Sequence, residues 1–113
     1  MDLKEVGLYP NERYETIYTT INNENKKNAA PIGVKVIDTD GKIGTHLFPN
    51  TETLKNIQEK KEFVINITSN PTIFTLSTIG NLTEDYFTED KDLAILNDCD
   101  AYLVAKVSEI KKI

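Results

Sequence analysis

A mainly β fold with short helices, of the α+β class, is predicted for this chain, and three features predict it. Threonine, isoleucine, valine and tyrosine gather in short runs that read at a period of two. Turn-forming Asn, Asp and Gly clusters separate the first of these runs. Only two stretches, one opened by Asn50-Thr51 and one by Asn70-Pro71, carry apolar residues at helical spacing after a capping residue.

Arg13 to Ile21 is dominated by β-branched residues and tyrosine, with Ile17 and Ile21 on one face, and is the first predicted strand. The polar run Asn22–Asn28 follows as a turn between antiparallel strands. From Pro31 to Asp38, Ile32, Val34 and Val36 alternate with Gly33, Lys35 and Ile37, the pattern of a strand with one face in the core. Asp38-Thr39-Asp40-Gly41 is a turn, and Ile43–Phe48 is the next strand, so this part of the chain reads as a meander. Leu54 and Ile57 then share a helical face, Glu52 lies in the first turn, and Lys60 and Lys61 lie in the last, which predicts a helix ending near Lys61. Phe63–Thr68 is nearly continuous in apolar residues and belongs inside the sheet, where Asn66 requires a partner. Asn70-Pro71 opens a short helix carrying Ile73, Phe74, Leu76 and Ile79 before Gly80. Residues 81–100 hold seven acidic side chains and read as a solvated connection with a short helix, before a last strand from Ala101 to Val107. Apolar Ile110 and Ile113 beyond that strand predict that further chain or a partner subunit covers a sheet edge.

The 113 residues predict one domain over 1–113, truncated at its C-terminal end if that edge is covered by more chain. A net charge of -5 and a pI near 4.8 weigh against nucleic acid as a partner. No apolar run approaches bilayer length and Met1–Glu5 does not open a secretory signal, so a soluble cytoplasmic protein without a membrane partner is expected. One cysteine, Cys99, and one histidine, His46, exclude an internal disulfide and the familiar zinc sites, and no metal is expected. A Cys99/His46 dyad would be suggested only by each residue being unique. The Asn-x-Ser/Thr matches at Asn66 and Asn81 matter only in a secreted protein.

Two local patterns carry chemistry. A strand ending at Phe48-Pro49 and followed by Asn50-Thr51-Glu52-Thr53 presents backbone N–H groups and two hydroxyls at the positive end of a helix, which suits a phosphate; the same threonines also serve as plain caps. Asn28-Ala29-Ala30-Pro31-Ile32-Gly33 brings small side chains into a strand, which lets a flat ligand approach the backbone or two strands cross closely.

Taken in order, Glu15–Thr20, Asn28–Val34, Phe48–Ile57 and Glu62–Ile67, continued by Asn70–Phe74 and Asp98–Leu103, resemble the FMN-binding split-barrel superfamily, which includes the flavin reductases. Within it the likeness is greatest to the largely archaeal, functionally uncharacterised flavoprotein family, and it spans roughly residues 13 to 107. The resemblance implies a six-stranded Greek-key split barrel that forms a homodimer with FMN at the subunit interface. It implies Thr51 and Thr53 as phosphate ligands, with Asn56 supporting the turn. The backbone of Ala30, Pro31 and Ile32 would run along the isoalloxazine ring, and Thr45 and Phe48 would contact the ribityl chain or the ring. Members of the family are longer than this chain, and here no arginine or lysine lies inside the phosphate segment, Lys55 being the nearest.

A dianionic phosphate held by an acidic protein requires local N–H and hydroxyl donors, which a helix start supplies. Flavin carries its own redox chemistry, so no catalytic triad is required. The reading is an FMN-binding flavoprotein with oxidoreductase activity toward NAD(P)H. Its alternatives are a non-catalytic flavin carrier and a β-barrel dimerisation or interaction module; an oligonucleotide-binding barrel conflicts with the charge.

Overall fold

The computed structural model describes residues 3–38, 41–80, 82–90 and 92–110. Thr39 and Asp40 of the predicted turn, Asn81, the Met1–Asp2 start and the 111–113 end lie outside the described residues.

Strands β1 (Arg13–Ile21), β2 (Lys27–Asp38), β3 (Lys42–Thr45), β4 (Glu62–Ile67) and β5 (Ala101–Lys106) form one antiparallel sheet in the order β3-β2-β1-β4-β5. Helix α1 (Glu52–Lys60) joins β3 to β4, and α2 (Pro71–Thr78) follows β4. Three strands in hairpin succession and a fourth returning beside the first are a Greek key. The expected Greek key and fold class therefore stand, with five strands among the described residues against the six that the resemblance implies.

The β1–β2 hairpin is tighter than the sequence suggests. Asn22 Oδ1 accepts from the amides of Glu24 (2.8 Å) and Lys26 (2.9 Å), and Asn25 takes φ 63°, so the turn closes early and β2 begins at Lys27 rather than Pro31. β3 is shorter than expected, ending at Thr45 instead of Phe48. An additional 3₁₀ turn at Leu3–Val6 buries Leu3, which has no periodic neighbours to announce it.

Burial on both faces of the sheet explains why β1 is buried continuously from Thr16 to Thr20. Directly opposed residues share a face. Tyr18, opposite Ala30 and Ile65, packs with Val34, Val36, Ile57, Phe63 and Leu103 on the α1 side. Ile17, opposite Pro31 and Asn66, packs with Ile73, Phe87, Ala94 and Leu96 on the α2 side. Asn66 finds the partners it requires: its amide nitrogen donates to Ile17 O (3.0 Å) and Thr19 Oγ1 (2.8 Å), and its oxygen accepts from the Leu96 amide (3.0 Å). That side chain ties the 94–96 segment onto the sheet, helped by Thr19 Oγ1 donating to Ala94 O. The acidic side chains between 82 and 100 that are described are exposed, as a solvated connection requires.

Candidate functional site

α1 begins with Thr51 as N-cap: its Oγ1 accepts from the Leu54 amide (3.2 Å) and donates to Phe48 O (3.0 Å). The Lys55 amide bonds Thr51 O (3.1 Å), which leaves the Glu52 and Thr53 amides as the orphan donors of the helix start. Lys61 in the left-handed conformation, φ 60°, closes the other end through Ile57 O at 2.8 Å.

The first turn is fastened to the hairpin by polar side chains. Asn28 Nδ2 donates to Thr53 Oγ1 (3.1 Å), and Asn56 Nδ2 donates to Thr20 Oγ1 (2.9 Å). Thr20 and Asn28 are directly opposed on β1 and β2, so the two bonds are neighbours. Thr53 is 4 % exposed and Asn56 1 %; the proton of Thr53 is left over, and Asn56 Oδ1 is buried without a hydrogen-bond partner. Sequence spacing could not single out Thr20 or Asn28, because the strand-to-helix pairing that gives them a role is long-range.

Along β2, Asn28, Ala30 and Ile32 face α1, whereas Ala29 and Pro31 face α2. β3 pairs only with residues from Val34 onward. Gly33 O is turned toward β3, where it accepts from Thr45 Oγ1 at 3.0 Å. Peptide groups alternate in direction along a strand, so the carbonyls of Pro31 and Ala29 are turned the same way, beyond the end of β3 and without a strand partner among the described residues. Pro31, lacking an N–H, suits such an edge. Thr45 also bonds the hydroxyl of Tyr18, whose burial pushes its pKa up to about 12 despite that bond, so the phenol is a neutral group below Thr45. Phe48 is 69 % exposed, with His46 against its ring edge at 5.8 Å between centroids.

Thus Ala30, Ile32, Thr45, Thr53 and Asn56 gather on the α1 side of β1–β2. Thr51 and Phe48 lie at the helix entrance, and Pro31 contributes main chain from the opposite face. His46 and Cys99 are not brought together: one follows β3 and the other precedes β5, the two edges of the sheet. Burial, then Asp100 and Asp98, raise the Cys99 thiol pKa, which opposes a nucleophilic role. No group of metal-binding side chains occurs among the described residues, and none of their helices is long and apolar enough to cross a membrane.

The profile of the family described as protein of unknown function (DUF447), N-terminal domain, matches residues 14–112. The chain belongs to the DUF447 family. The FMN-bound protein MM1853 from Methanosarcina mazei has a solved structure assigned to the same family; it superposes with a TM-score of 0.82 over 99% of this chain, at 24% identity. The DUF447 chain described here spans 58% of that protein's length. The likeness establishes the split-barrel type of fold expected from the sequence.

Proposed function

We propose that this DUF447 domain binds FMN on the α1 side of the β1–β2 hairpin and works as an FMN-dependent oxidoreductase. The observation that carries the reading is the convergence of two donor-bearing features through one contact, Asn28 to Thr53, which seats a helix start beside an open strand edge. The donor set fits FMN. The Glu52 and Thr53 amides and the Thr53 hydroxyl suit a phosphate. The edge at Ala29 and Pro31, with only methyl-sized side chains at Ala29 and Ala30, suits a flat ring, and Thr45 and Phe48 border it. Thr51 holds the helix start by capping, and Asn56 holds it through Thr20. The FMN carried by the Methanosarcina mazei protein of the same fold supports the cofactor.

Flavin, when bound, supplies hydride and electron transfer. The chain's own part is to bind it, orient its phosphate and keep one ring edge against neutral main chain. NAD(P)H is the proposed donor and a cytoplasmic homodimer, with the site at the subunit interface, the proposed form. The exposed Phe48 beside the site is consistent with cover by a second subunit.

Titration of FMN fluorescence tests the site. Thr53→Val removes a donor while keeping shape, and Ala30→Leu fills the ring position; each is expected to weaken FMN at least tenfold with a cooperative unfolding transition retained. Unchanged affinity in both would sink the assignment. Bleaching of the bound flavin by NADPH under argon tests the reaction, and a yellow protein that NADPH leaves oxidised is a carrier.

A further inference from the structure

The two edges of the sheet are built differently. On one side β3 is four residues long, opens with Lys42 and contains Gly44; its pairing with β2 shifts register between Val36 and Asp38, and Pro31 lies on the β2 strip beyond it. Lysine, proline, short strands and register breaks are devices that keep a sheet edge from pairing with another chain. β5, on the other side, has none of them before its last residue: Ala101-Tyr102-Leu103-Val104-Ala105 carries no charge, glycine or proline, in a chain that is 27% charged. Tyr102 and Val104 are also half exposed, both on the α2 side, where they lie opposite Asn66 and Val64.

Register fixes which peptide groups this edge offers. The Val107 amide donates to Lys61 O at 3.0 Å, in line with the β4–β5 pairing. The N–H and C=O of one residue point to the same side of an antiparallel strand and alternate from residue to residue, so Ala101, Leu103 and Ala105 turn to β4. Tyr102, Val104 and Lys106 turn outward, without a strand partner among the described residues. An antiparallel partner bonds residues that both turn outward, and for two copies related by a two-fold axis this leaves three central registers. With Val104 on the axis, Tyr102 meets Lys106 and Asp100 meets no cation. With Tyr102 on the axis, Val104 meets Asp100. With Leu103 on the axis, Tyr102 meets Val104 twice and the exposed Lys106 meets the exposed Asp100 twice. Aromatic–β-branched and opposite-charge pairs are those that stabilise a ladder.

We propose that β5 pairs with β5 of a second copy of this chain, antiparallel about a two-fold axis at Leu103, so that the two sheets run on as one. The contact is isologous, which closes it at two copies. β5 and the β2 strip assigned to the flavin ring lie toward opposite ends of the strand order, so this interface is separate from the one proposed at the flavin and does not rest on the FMN reading.

The test combines charge exchange with sedimentation equilibrium. The protein is expected to dimerise reversibly, and Asp100→Lys and Lys106→Glu each set like charges together at both ends of the ladder, weakening the dimer about tenfold. An equimolar mixture of the two variants restores it, because every lysine then faces a carboxylate across the ladder. Glu62 lies opposite Lys106 within the chain, so thermal melts accompany each variant; damage to the fold of either one does not produce recovery on mixing. In the unsubstituted protein, hydrogen exchange at the Tyr102 and Val104 amides slows as concentration rises. A monomer at every concentration, a dimer that neither substitution weakens, or no recovery on mixing would overturn the pairing. Protection of both amides at every concentration would overturn it too, because the chain itself would then cover the edge.

Discussion

Asn66 and Tyr18 sit back to back in the sheet, and each fixes a measurable property of the protein. Asn66 makes three buried hydrogen bonds, so Asn66→Ala leaves the Leu96 amide without its acceptor and opens a void; a loss of about 2–4 kcal/mol is expected in urea unfolding. Tyr18 has its folded pKa raised from 10 to about 12, so the unfolded chain holds fewer protons than the folded one between those values. Stability present below pH 10 therefore declines as pH rises toward 12, by up to about 3 kcal/mol, and the decline is absent in Tyr18→Phe. Glu52 places a carboxylate at the helix start, where it helps the dipole of the empty helix but opposes a phosphate. If FMN phosphate binds there, Glu52→Gln tightens FMN about two- to threefold at low salt, an increment of the size that surface charges give.

Helix α1 is the element on which the proposed site depends, and its attachment is polar rather than apolar. Ile57 is its one fully apolar buried side chain, while Thr53 and Asn56 complete the buried face through Asn28 and Thr20. Removing the cap with Thr51→Ala costs about 1 kcal/mol of stability, and removing Asn28 strands the Thr53 hydroxyl as well. Asn28→Ala is accordingly expected to weaken FMN several-fold more than Thr51→Ala at equal loss of stability, because it frees the helix start from β2. Thermal melts combined with FMN titration separate the two effects. α2 differs: Asn70 caps it at the Thr72 amide (2.9 Å), Pro71 starts it, and Ile73 anchors it, so its role is to cover Ile17.

At the scale of the molecule, the sheet carries helices on its faces and, among the described residues, is open at both edges. β5 has no outer neighbour among the described residues, and Tyr102 and Val104 on it are 47% and 46% exposed. An edge of this kind is a pairing surface. The proposed homodimer with the flavin at its interface would make FMN and self-association thermodynamically linked, so under that proposal addition of FMN is expected to lower the dimer dissociation constant measured by sedimentation. An unchanged constant places the flavin wholly within one subunit.

The elements were legible in the sequence because their signals are local. Period-two alternation marked Arg13–Ile21 and Pro31–Asp38, and the capping candidates at Asn50 or Thr51 and at Asn70 marked both helices, since a capping side chain reaches only two or three residues ahead; the structure selects Thr51 over Asn50. The polar residue in Phe63–Thr68 announced that Asn66 needs partners, but not that they are Ile17, Thr19 and Leu96. Early closure of the hairpin by Asn22 and the end of β3 at Thr45 escaped, because turn closure and strand length depend on which neighbour completes the ladder. The sequence by itself determined the β-rich class, the helix starts and the candidate residues at Ala30–Ile32 and Thr51–Asn56. Only the tertiary structure decided that Thr53 meets Asn28, that the β2 edge is open beyond Thr45, and that Arg13 faces Lys35. Such contacts join residues far apart in the chain, and register and packing rather than local propensity fix them.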